Sequence, residues 1–280
     1  MDLSALYPAR DPFSHKGDFG KLLVVAGCDR LTGSAVFVGM AAMRAGCDLV
    51  LVAAPERAAN AAAQHADLIT VSLAGGILQK NHLKSILPLL EKCDAMVLGN
   101  GISLEKEAQE AARLLIKACT KPMVIDADGL RALAGHLDIL SGKRVVLTPH
   151  ADEFRSFSGQ IVPRELEDRK ELAKTFARTY QCVVLLKGHV DVVADSQTVY
   201  LNTTGTPLMT KGGFGDTLAG ICGALLARGA PLFQAASAAA WINGRAGELA
   251  AQERGEGVLA SDIFDTIPKV LPTPMQLWPA

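Results

Sequence analysis

Short apolar runs alternate with segments of helical length along the first two thirds of the chain. Most of the runs end in Gly, Pro, Asp or His, which is typical of buried strands that lead into a loop. This strand–helix alternation predicts an α/β fold, a three-layer αβα sandwich with a mostly parallel central sheet. The predicted strands are 21–27, 48–54, 94–101, 121–129, 143–150 and 182–189, and the predicted helices are 34–46, 80–91, 103–119 and 163–180.

The last third of the chain has a different pattern. Residues 190–202 contain two short strand-like runs around a polar Asp-Ser-Gln turn, which predicts a hairpin. Over 214–228 the large apolar residues repeat at the spacing of one helix face, and small residues on the other positions indicate close packing. Because no linker-like or low-complexity stretch interrupts the chain, residues 1–280 are predicted to form a single domain.

Composition narrows the class of protein. The 28 basic and 29 acidic residues nearly cancel, so we expect no nucleic-acid partner, because a surface that binds the nucleic-acid backbone usually has a basic excess. Although 49% of the residues are hydrophobic, no apolar run reaches the ~18 residues of a membrane span. The chain shows no signal-peptide pattern, and its six cysteines form no Cys-x-x-Cys pair. We therefore expect a cytoplasmic protein with buried free thiols and no membrane association.

Polar residues and glycines collect where the predicted strands end. In an open parallel sheet, ligands bind at the carboxyl ends of the strands. Each residue alone has a structural explanation, since Asp126 and Asp128 could cap helices and His150 could belong to a turn. Their accumulation at one sheet edge favours a binding site. The residues are Gly27, Gly99, Asn100, Gly101, Asp126, Asp128, His150, Glu153 and Lys187.

A glycine-rich turn, "GGFGD" (212–216), precedes the helix 214–228. Its glycines let backbone N–H groups converge, and the helix start adds free N–H groups and a positive dipole end, which together predict an anion cradle. Asp216 could be an N-cap or a general base beside the cradle. A carboxylate aimed at the attacking oxygen next to such a cradle is what phosphoryl transfer requires. The sequence has neither a Walker loop nor a dinucleotide GxGxxG after a strand.

These motifs resemble a known family. The GGFGD run and its helix resemble the anion-hole motif of ribokinase-like kinases, and five further blocks resemble those of the ADP-dependent NAD(P)H-hydrate dehydratases. The resemblance extends from about residue 10 to about residue 268, and only the joint set of motifs is specific. The blocks are "HKGDFGKLLVVAGCDRLTGSAVFVGMAAMRAGCDLV" (15–50), "LGNGI" (98–102), "VIDADGL" (124–130), "LTPHADEF" (147–154) and "LLKGHVDVV" (185–193).

The resemblance implies a repair reaction on a ribokinase-like fold. Hydrated NADH or NADPH, NAD(P)HX, would be dehydrated to NAD(P)H with ADP or ATP as co-substrate and Mg²⁺ as cofactor. Asp216 would activate the 6-hydroxyl for phosphorylation, and phosphate would then be eliminated. It also implies that Ala35, Gly101, His150 and Asp216 contact the hydrated nicotinamide nucleotide, and that Lys187, Gly188, His189, Val190, Asp191 and Gly215 bind the adenine nucleotide.

Two positions depart from the family pattern. Asp191 stands where the family loop Lys-Gly-x-x-Thr usually has Thr, so we expect its carboxylate to point away from the phosphates or to act through Mg²⁺. Phe214 stands where a small residue is usual, and we expect it to narrow the cradle. The resemblance also suggests a homotetramer. Since many bacterial relatives carry an N-terminal epimerase domain that is not seen here, we expect any epimerase to be a separate chain.

Two alternative functions remain open. A small-molecule kinase of the same fold, acting on a vitamin precursor such as hydroxymethylpyrimidine or hydroxyethylthiazole, fits the GGFGD site equally well. The "HKGDFGK" and "TPHADEF" blocks favour the dehydratase over this kinase. A nucleotide-binding regulatory or scaffold protein with a decayed site is supported only by Asp191, and Lys187 and Asp216 argue against it.

Overall fold

A computed structural model describes residues 1–272, and one continuous sheet runs through them. Its strands are β1 (Lys21–Val25), β2 (Leu49–Pro55), β3 (Ile69–Leu73), β4 (Ala95–Leu98), β5 (Met123–Ile125), β6 (Val145–Leu147), β7 (Val183–Leu186), β8 (Asp191–Ala194) and β9 (Val199–Asn202). The strand order across the sheet is β3-β2-β1-β4-β5-β6-β7-β8-β9. Strands β1 to β7 are all parallel, and the hairpin of β8 and β9 adds two antiparallel pairings at one edge. The predicted fold class is confirmed.

Helices cover both faces of the sheet. They are α1 (Gly33–Arg44), α2 (Glu56–Ala62), α3 (Leu83–Glu91), α4 (Lys106–Ala118), α5 (Asp128–Arg131), α6 (Ala151–Ser158), α7 (Leu166–Tyr180), α8 (Phe214–Ala227), α9 (Leu232–Arg254) and α10 (Ile263–Val270). One hydrophobic core joins the sheet to α1, α2, α8, α9 and α10. A second core joins the opposite face to α3, α4, α6 and α7. The two cores give the three layers that the sequence predicts.

All six predicted strands are present, but no bounds are predicted from the sequence for β3, α2, α5, α6, α9 or α10. Strand β3 lies at the sheet edge and its Ile69 is 47% exposed, so it lacks the fully apolar run of a central strand. Helices α2 and α6 have only seven and eight residues, which is too short for a helical period to be recognised in the sequence.

Helix α8 is more deeply buried than its single predicted apolar face implies, because every residue from Thr217 to Ala227 is buried. Its small residues permit close contacts on two sides. A Cβ atom at Gly220 would lie 2.2 Å from the Val38 carbonyl oxygen in α1, and one at Gly223 would lie 2.3 Å from Val97 Cγ2 in β4. The predicted close packing is thus observed, and it fixes the position of the N-terminal end of α8 relative to the sheet.

The cysteines are buried free thiols, as predicted: Cys28, Cys47, Cys93, Cys119, Cys182 and Cys222. Burial raises the pKa of Cys47 and of Cys182 to about 12, which keeps both thiols protonated and unreactive near neutral pH. Within residues 1–272, none of the helices combines the length and the apolar character that a membrane crossing needs.

Candidate active site

Four neighbouring strands deliver polar side chains to the carboxyl edge of the sheet. Asn100 follows β4, Asp126 follows β5, Thr148 follows β6 and Lys187 follows β7. Because these strands are adjacent in the sheet, the four side chains meet in one cluster. The sequence predicts the accumulation of polar residues at this edge, and the structure shows that the side chains contact one another.

The carboxylate of Asp126 lies at the centre of the cluster, and the residue is 1% exposed. Its Oδ1 accepts hydrogen bonds from Lys187 Nζ at 3.0 Å and from Thr148 Oγ1 at 2.8 Å. Its Oδ2 accepts a hydrogen bond from Asn100 Nδ2 at 2.8 Å. A buried carboxylate is costly unless it is paired and hydrogen-bonded, and three donors meet this requirement here.

Lys187 faces a second carboxylate in the same cluster. Its Nζ lies 3.5 Å from Glu153 Oε2, and its side chain is 19% exposed. Burial by itself would lower the pKa of Lys187, but the carboxylates of Asp126 and Glu153 outweigh burial and raise it. The ammonium group therefore stays protonated, and it can attract an anion while two carboxylates hold it in place.

Asp216 lies in the first turn of α8, and its Oδ1 accepts a hydrogen bond from Asn100 Nδ2 at 2.8 Å. Burial is the largest effect on Asp216 and raises its pKa to about 6. The hydrogen bond from Asn100 lowers the pKa, and the nearby Asp126 carboxylate raises it. Ser34 and Lys187 have smaller, lowering effects. Such a carboxyl group is ionised at neutral pH, and its pKa is close enough to that pH for efficient proton transfer. The N-cap position belongs to Gly213, so Asp216 is not the helix cap.

The glycine-rich turn has features that the predicted cradle requires. Gly213 has a φ of 100°, a backbone conformation that favours glycine. Within the described residues, the N–H groups of 212–216 donate no hydrogen bond, as expected for a turn and a helix start. A Cβ atom at Gly215 would lie 3.5 Å from Lys187 Nζ. The free N–H groups and the Lys187 ammonium are therefore close together, a combination that suits an anion.

His150 begins α6. Its Nδ1 accepts hydrogen bonds from the N–H groups of Asp152 and Glu153 at 3.2 and 3.3 Å, and Glu153 Oε2 accepts one from the His150 N–H at 2.8 Å. These reciprocal contacts form a capping box. The structural interpretation of His150 as a turn residue is therefore correct in part. Its side chain is 48% exposed, so the imidazole also remains accessible to a ligand.

The other residues assigned to the hydrated nucleotide lie near the start of α1. Gly101 has a φ of 66°, and a Cβ atom there would lie 2.8 Å from Ser34 Oγ. Ala35 is fully buried and offers no surface to a ligand, whereas its neighbour Ser34 is partly exposed. The structure thus brings Gly101 and Ser34 to the site and places Ala35 behind them.

The loop from Lys187 to Asp191 connects β7 to β8. Gly188 and His189 are exposed, and Val190 is partly buried. Asp191 turns into its own loop, where Oδ1 accepts a hydrogen bond from the Gly188 N–H and Oδ2 accepts one from Asn202 Nδ2, both at 3.0 Å. Burial raises the pKa of Asp191, against the effect of these two donors. The carboxylate is thus held within the protein, which fits the expectation that it points away from a bound phosphate.

Two further residues of the glycine-rich segment have structural roles. Phe214 is 5% exposed and belongs to the hydrophobic core, so the expectation that its ring narrows the cradle is wrong: the ring packs beneath the loop. Lys211 Nζ donates hydrogen bonds to the carbonyl oxygens of Val258, at 2.9 Å, and Glu256. It therefore braces the loop against a neighbouring turn.

The sequence reasoning missed Ser34 and Thr148. Thr148 is fully buried and donates a hydrogen bond to Asp126. Ser34 lowers the pKa of Asp216 through a side-chain hydrogen bond. Both lie within blocks that carry the family resemblance, yet a lone hydroxyl residue is too common to stand out. Only the spatial contacts assign them to the site.

The donor set of the site does not fit a magnesium ion held by the protein. Among the described residues there is no group of three His, Cys, Asp or Glu side chains able to hold a metal, and both Asp126 and Glu153 are already paired with Lys187. Mg²⁺ binds mainly through water, one or two carboxylates and substrate phosphates. A magnesium ion would therefore enter this site on the phosphates of a nucleotide.

Comparison with known proteins agrees with this geometry. A family model described as NAD(P)H-hydrate dehydratase matches residues 22–269. The bifunctional NAD(P)H-hydrate repair enzyme of Pyrobaculum aerophilum is 41% identical over 273 residues, which cover 96% of this chain and 54% of that protein. The ADP-dependent (S)-NAD(P)H-hydrate dehydratase of Cenarchaeum symbiosum is 34% identical, with coverage of 96% and 94%. The chain thus spans about half the length of the bifunctional relative.

Solved structures give the same result. The ADP/ATP-dependent NAD(P)H-hydrate dehydratase of Bacillus subtilis, co-crystallised with ATP and Mg²⁺, superposes with a TM-score of 0.77 at 30% identity over 95% of this chain and 94% of that one. A hydroxyethylthiazole kinase from Pyrococcus horikoshii shares the fold, with a TM-score of 0.63 at 20% identity and coverage of 90% and 89%. The chain belongs to the NAD(P)H-hydrate dehydratase family and has the ribokinase-like fold.

Proposed function

We propose that this protein dehydrates NAD(P)HX to NAD(P)H in a reaction driven by ADP or ATP. One observation carries the proposal: the Asp216 carboxylate, whose pKa is raised to about 6 by burial, lies in the first turn of the helix whose free N–H groups belong to the proposed anion cradle. A general base and an anion site next to each other are the two parts that phosphoryl transfer to a hydroxyl requires.

In the proposed first step, Asp216 accepts the proton of the substrate 6-hydroxyl while that oxygen attacks the terminal phosphorus of the nucleotide. The bond between that phosphorus and the bridging oxygen breaks, and AMP leaves when the nucleotide is ADP, or ADP leaves when it is ATP. The N–H groups around Gly213 to Asp216 and the Lys187 ammonium stabilise the negative charge on the phosphoryl oxygens. In the second step the C6–O bond breaks and phosphate leaves, because phosphate is a much better leaving group than hydroxide. The carbon next to C6 gives up a proton to the departing phosphate, and the C5–C6 double bond is restored.

We propose that the site has two halves, one for each substrate. We assign the nucleotide to Gly215 and to the exposed loop formed by Lys187, Gly188, His189 and Val190, with Asp191 supporting that loop from within. We assign the hydrated nicotinamide nucleotide to Gly101, Ser34 and the exposed imidazole of His150. Ser34, assigned to one half, and Lys187, assigned to the other, both favour the ionised form of Asp216, so we propose that Asp216 serves both halves, as transfer between two substrates requires.

An absorbance assay for reduced nicotinamide tests the proposal. Purified protein should regenerate NADH from hydrated NADH when Mg²⁺ and either ADP or ATP are present, and should not do so without nucleotide. Asp216→Asn is the matched inactive control. If no NADH forms, and phosphorylated hydroxymethylpyrimidine or hydroxyethylthiazole accumulates instead, the chain is a vitamin-precursor kinase.

The same preparation tests the remaining proposals. Comparison of kcat/KM with ADP and with ATP, and with hydrated NADH and hydrated NADPH, gives the nucleotide and substrate preferences. Light scattering tests the proposed homotetramer. Fractionation of the source cells tests the proposed cytoplasmic location.

A further inference from the structure

The side chain of Asn100 links the proposed base to the buried ion pair. Asn100 is fully buried, and its Nδ2 donates one hydrogen bond to Asp216 Oδ1 and one to Asp126 Oδ2, each at 2.8 Å. A side-chain amide nitrogen carries two donors, so both are used, and both go to carboxylates. Hydrogen bonds with one ionised partner are shorter and stronger than neutral ones.

The backbone holds Asn100 in position. The residues on either side, Gly99 and Gly101, have φ values of 125° and 66°, and the Gly27 N–H donates a hydrogen bond to the Asn100 carbonyl at 2.7 Å. A Cβ atom at Gly99 would lie 2.1 Å from the Asp126 carbonyl oxygen. This close approach of two loops sets the amide group against both carboxylates before any substrate binds.

The other end of the amide shows that a purely structural role does not explain this residue. Asn100 Oδ1 is buried and has no hydrogen-bond partner among the described residues. A buried polar atom without a partner opposes folding. An asparagine therefore stands at a position where its acceptor is unfavourable and only its two donors are used.

We infer that Asn100 is a positioning residue, which orients the Asp216 carboxylate and holds it in its ionised form beside the anion cradle; this rests on the function proposed above. Because Oδ1 of Asp216 accepts the bond from Asn100, Oδ2 is the oxygen assigned to the proton of the substrate hydroxyl. The charged groups that act on Asp216 from the neighbouring loops are Asp126, which disfavours its ionised form, and Lys187, which favours it. Asn100 offsets the repulsion between the two carboxylates by donating to both.

The test is the pH dependence of kcat for variants of Asn100. Asn100→Leu keeps a similar shape and removes both donors. Because hydrogen bonding to the charged form lowers the pKa of an acid, the acidic limb of the kcat profile should move to higher pH. A shift of about one pH unit would lower kcat about tenfold at pH values below the limb. Asn100→Asp keeps the size and the polarity and adds a third carboxylate, so its limb should move further in the same direction.

Thr266→Val is the matched control, because it removes a buried hydroxyl donor, to the Ala246 carbonyl oxygen at 2.8 Å, outside the candidate site, and its limb should stay close to that of the wild type. Circular dichroism checks that each variant is folded, and if Asn100→Leu aggregates, Asn100→Asp decides. A folded Asn100 variant whose acidic limb coincides with that of the wild type overturns the inference, even if its kcat or its melting temperature is lower. Failure of the proposed function is a separate result, because wild-type protein would then regenerate no NADH at any pH.

Discussion

The carboxylate of Asp126 and the ammonium of Lys187 form a buried ion pair, with Oδ1 and Nζ 3.0 Å apart. The pair joins the ends of two strands, β5 and β7, that are separated in the sheet by β6. Since Glu153 also faces Lys187, two negative charges surround one positive charge. This arrangement holds the Lys187 ammonium in place for contact with an anion. The buried Asp126 carboxylate in turn needs that ammonium as its counter-charge.

We expect Lys187→Met to destabilise the fold, because it leaves the Asp126 carboxylate buried without its counter-charge. Removal of one partner of a buried pair typically costs about 3–5 kcal/mol in the free energy of unfolding, and urea denaturation measures it. The double variant Lys187→Met, Asp126→Asn should recover at least about 1 kcal/mol, because the Asp126 charge that lost its partner is also removed. Glu153, which faces Lys187 as well, loses that partner in both variants, so its effect cancels in the comparison.

The exposed pair of Lys170 and Glu167 supplies the control for this measurement. Lys170→Met should change the free energy of unfolding by less than about 1 kcal/mol. If Lys187→Met and Lys170→Met have equal effects, the pair of Lys187 and Asp126 is not a significant contributor to stability.

Asp216→Asn should abolish most of the turnover while it preserves the fold. Asn keeps the shape of the side chain but cannot accept the hydroxyl proton, so kcat should fall by about 10² to 10⁴-fold. In the wild type, kcat should fall as the pH drops through about 6, the raised pKa of Asp216, because the protonated base is inactive. Nucleotide affinity, measured by calorimetry, should be equal or higher in the variant, since one negative charge is removed.

The same variant makes a prediction for stability. A carboxyl group whose pKa is raised in the folded state from 3.8 to about 6 opposes folding when it is ionised, so its unfavourable effect is present above about pH 6 and absent below about pH 4. The melting temperature of Asp216→Asn should therefore equal or exceed that of the wild type near neutral pH, and the difference should vanish at low pH. A stable variant with near-wild-type turnover would refute the role of Asp216 as the base.

Two variants separate the role of His150 as the cap of α6 from its proposed role in binding the substrate. His150→Ala removes the imidazole and the cap of α6, and loss of a cap costs about 1 kcal/mol. His150→Asn removes the imidazole but retains a capping side chain. Both should weaken binding of hydrated NADH in a calorimetric titration, while ADP affinity stays within a factor of a few. If His150→Asn loses ADP affinity and keeps substrate affinity, His150 belongs to the nucleotide half of the site.

The cradle can be tested with two adjacent glycines. Gly213→Ala places a side chain at a φ of 100° and only 2.7 Å from Ala260 Cβ, so the turn must change its shape. Strain of this kind costs about 1–3 kcal/mol, and we expect ADP to bind at least about tenfold more weakly as the N–H groups lose their alignment. Gly212→Ala enters open space and should bind ADP normally. Equal affinities of the two variants would show that the cradle does not bind the nucleotide.

Much of the fold could be predicted because its determinants are local in the sequence. Central parallel strands are buried on both faces and appear as apolar runs, and this pattern gives β1, β2, β4, β5, β6 and β7. Strand β3 could not be found in this way, because an edge strand such as Ile69–Leu73 is partly exposed and mixes polar with apolar positions. The strand order, which places β1 between β2 and β4, is set by tertiary packing and not by any single segment.

The candidate site was predictable to a similar extent. The residues Asn100, Asp126, Glu153 and Lys187 could each be located at a strand end, and Asp216 could be assigned to a helix start. The sequence could not show which of these side chains contact one another. The contact between Asn100 and Asp216, for example, joins residues 116 positions apart, and it depends on how α8 packs against β4. The burial of the Phe214 ring depends on the same packing, and for that reason its predicted effect on the cradle was wrong.

The close packing of α8 against α1 at Gly220 and against β4 at Gly223 has a consequence for how this family could change its chemistry. A substitution in α8 that moves Asp216 must also repack the hydrophobic core. A change in catalysis made in this way would therefore be accompanied by a loss of stability. His189 is not limited in this way, because it is exposed in the loop between β7 and β8, outside the helix and the core. New nucleotide preferences can therefore arise at this loop position while the position of Asp216 remains unchanged from one descendant to the next.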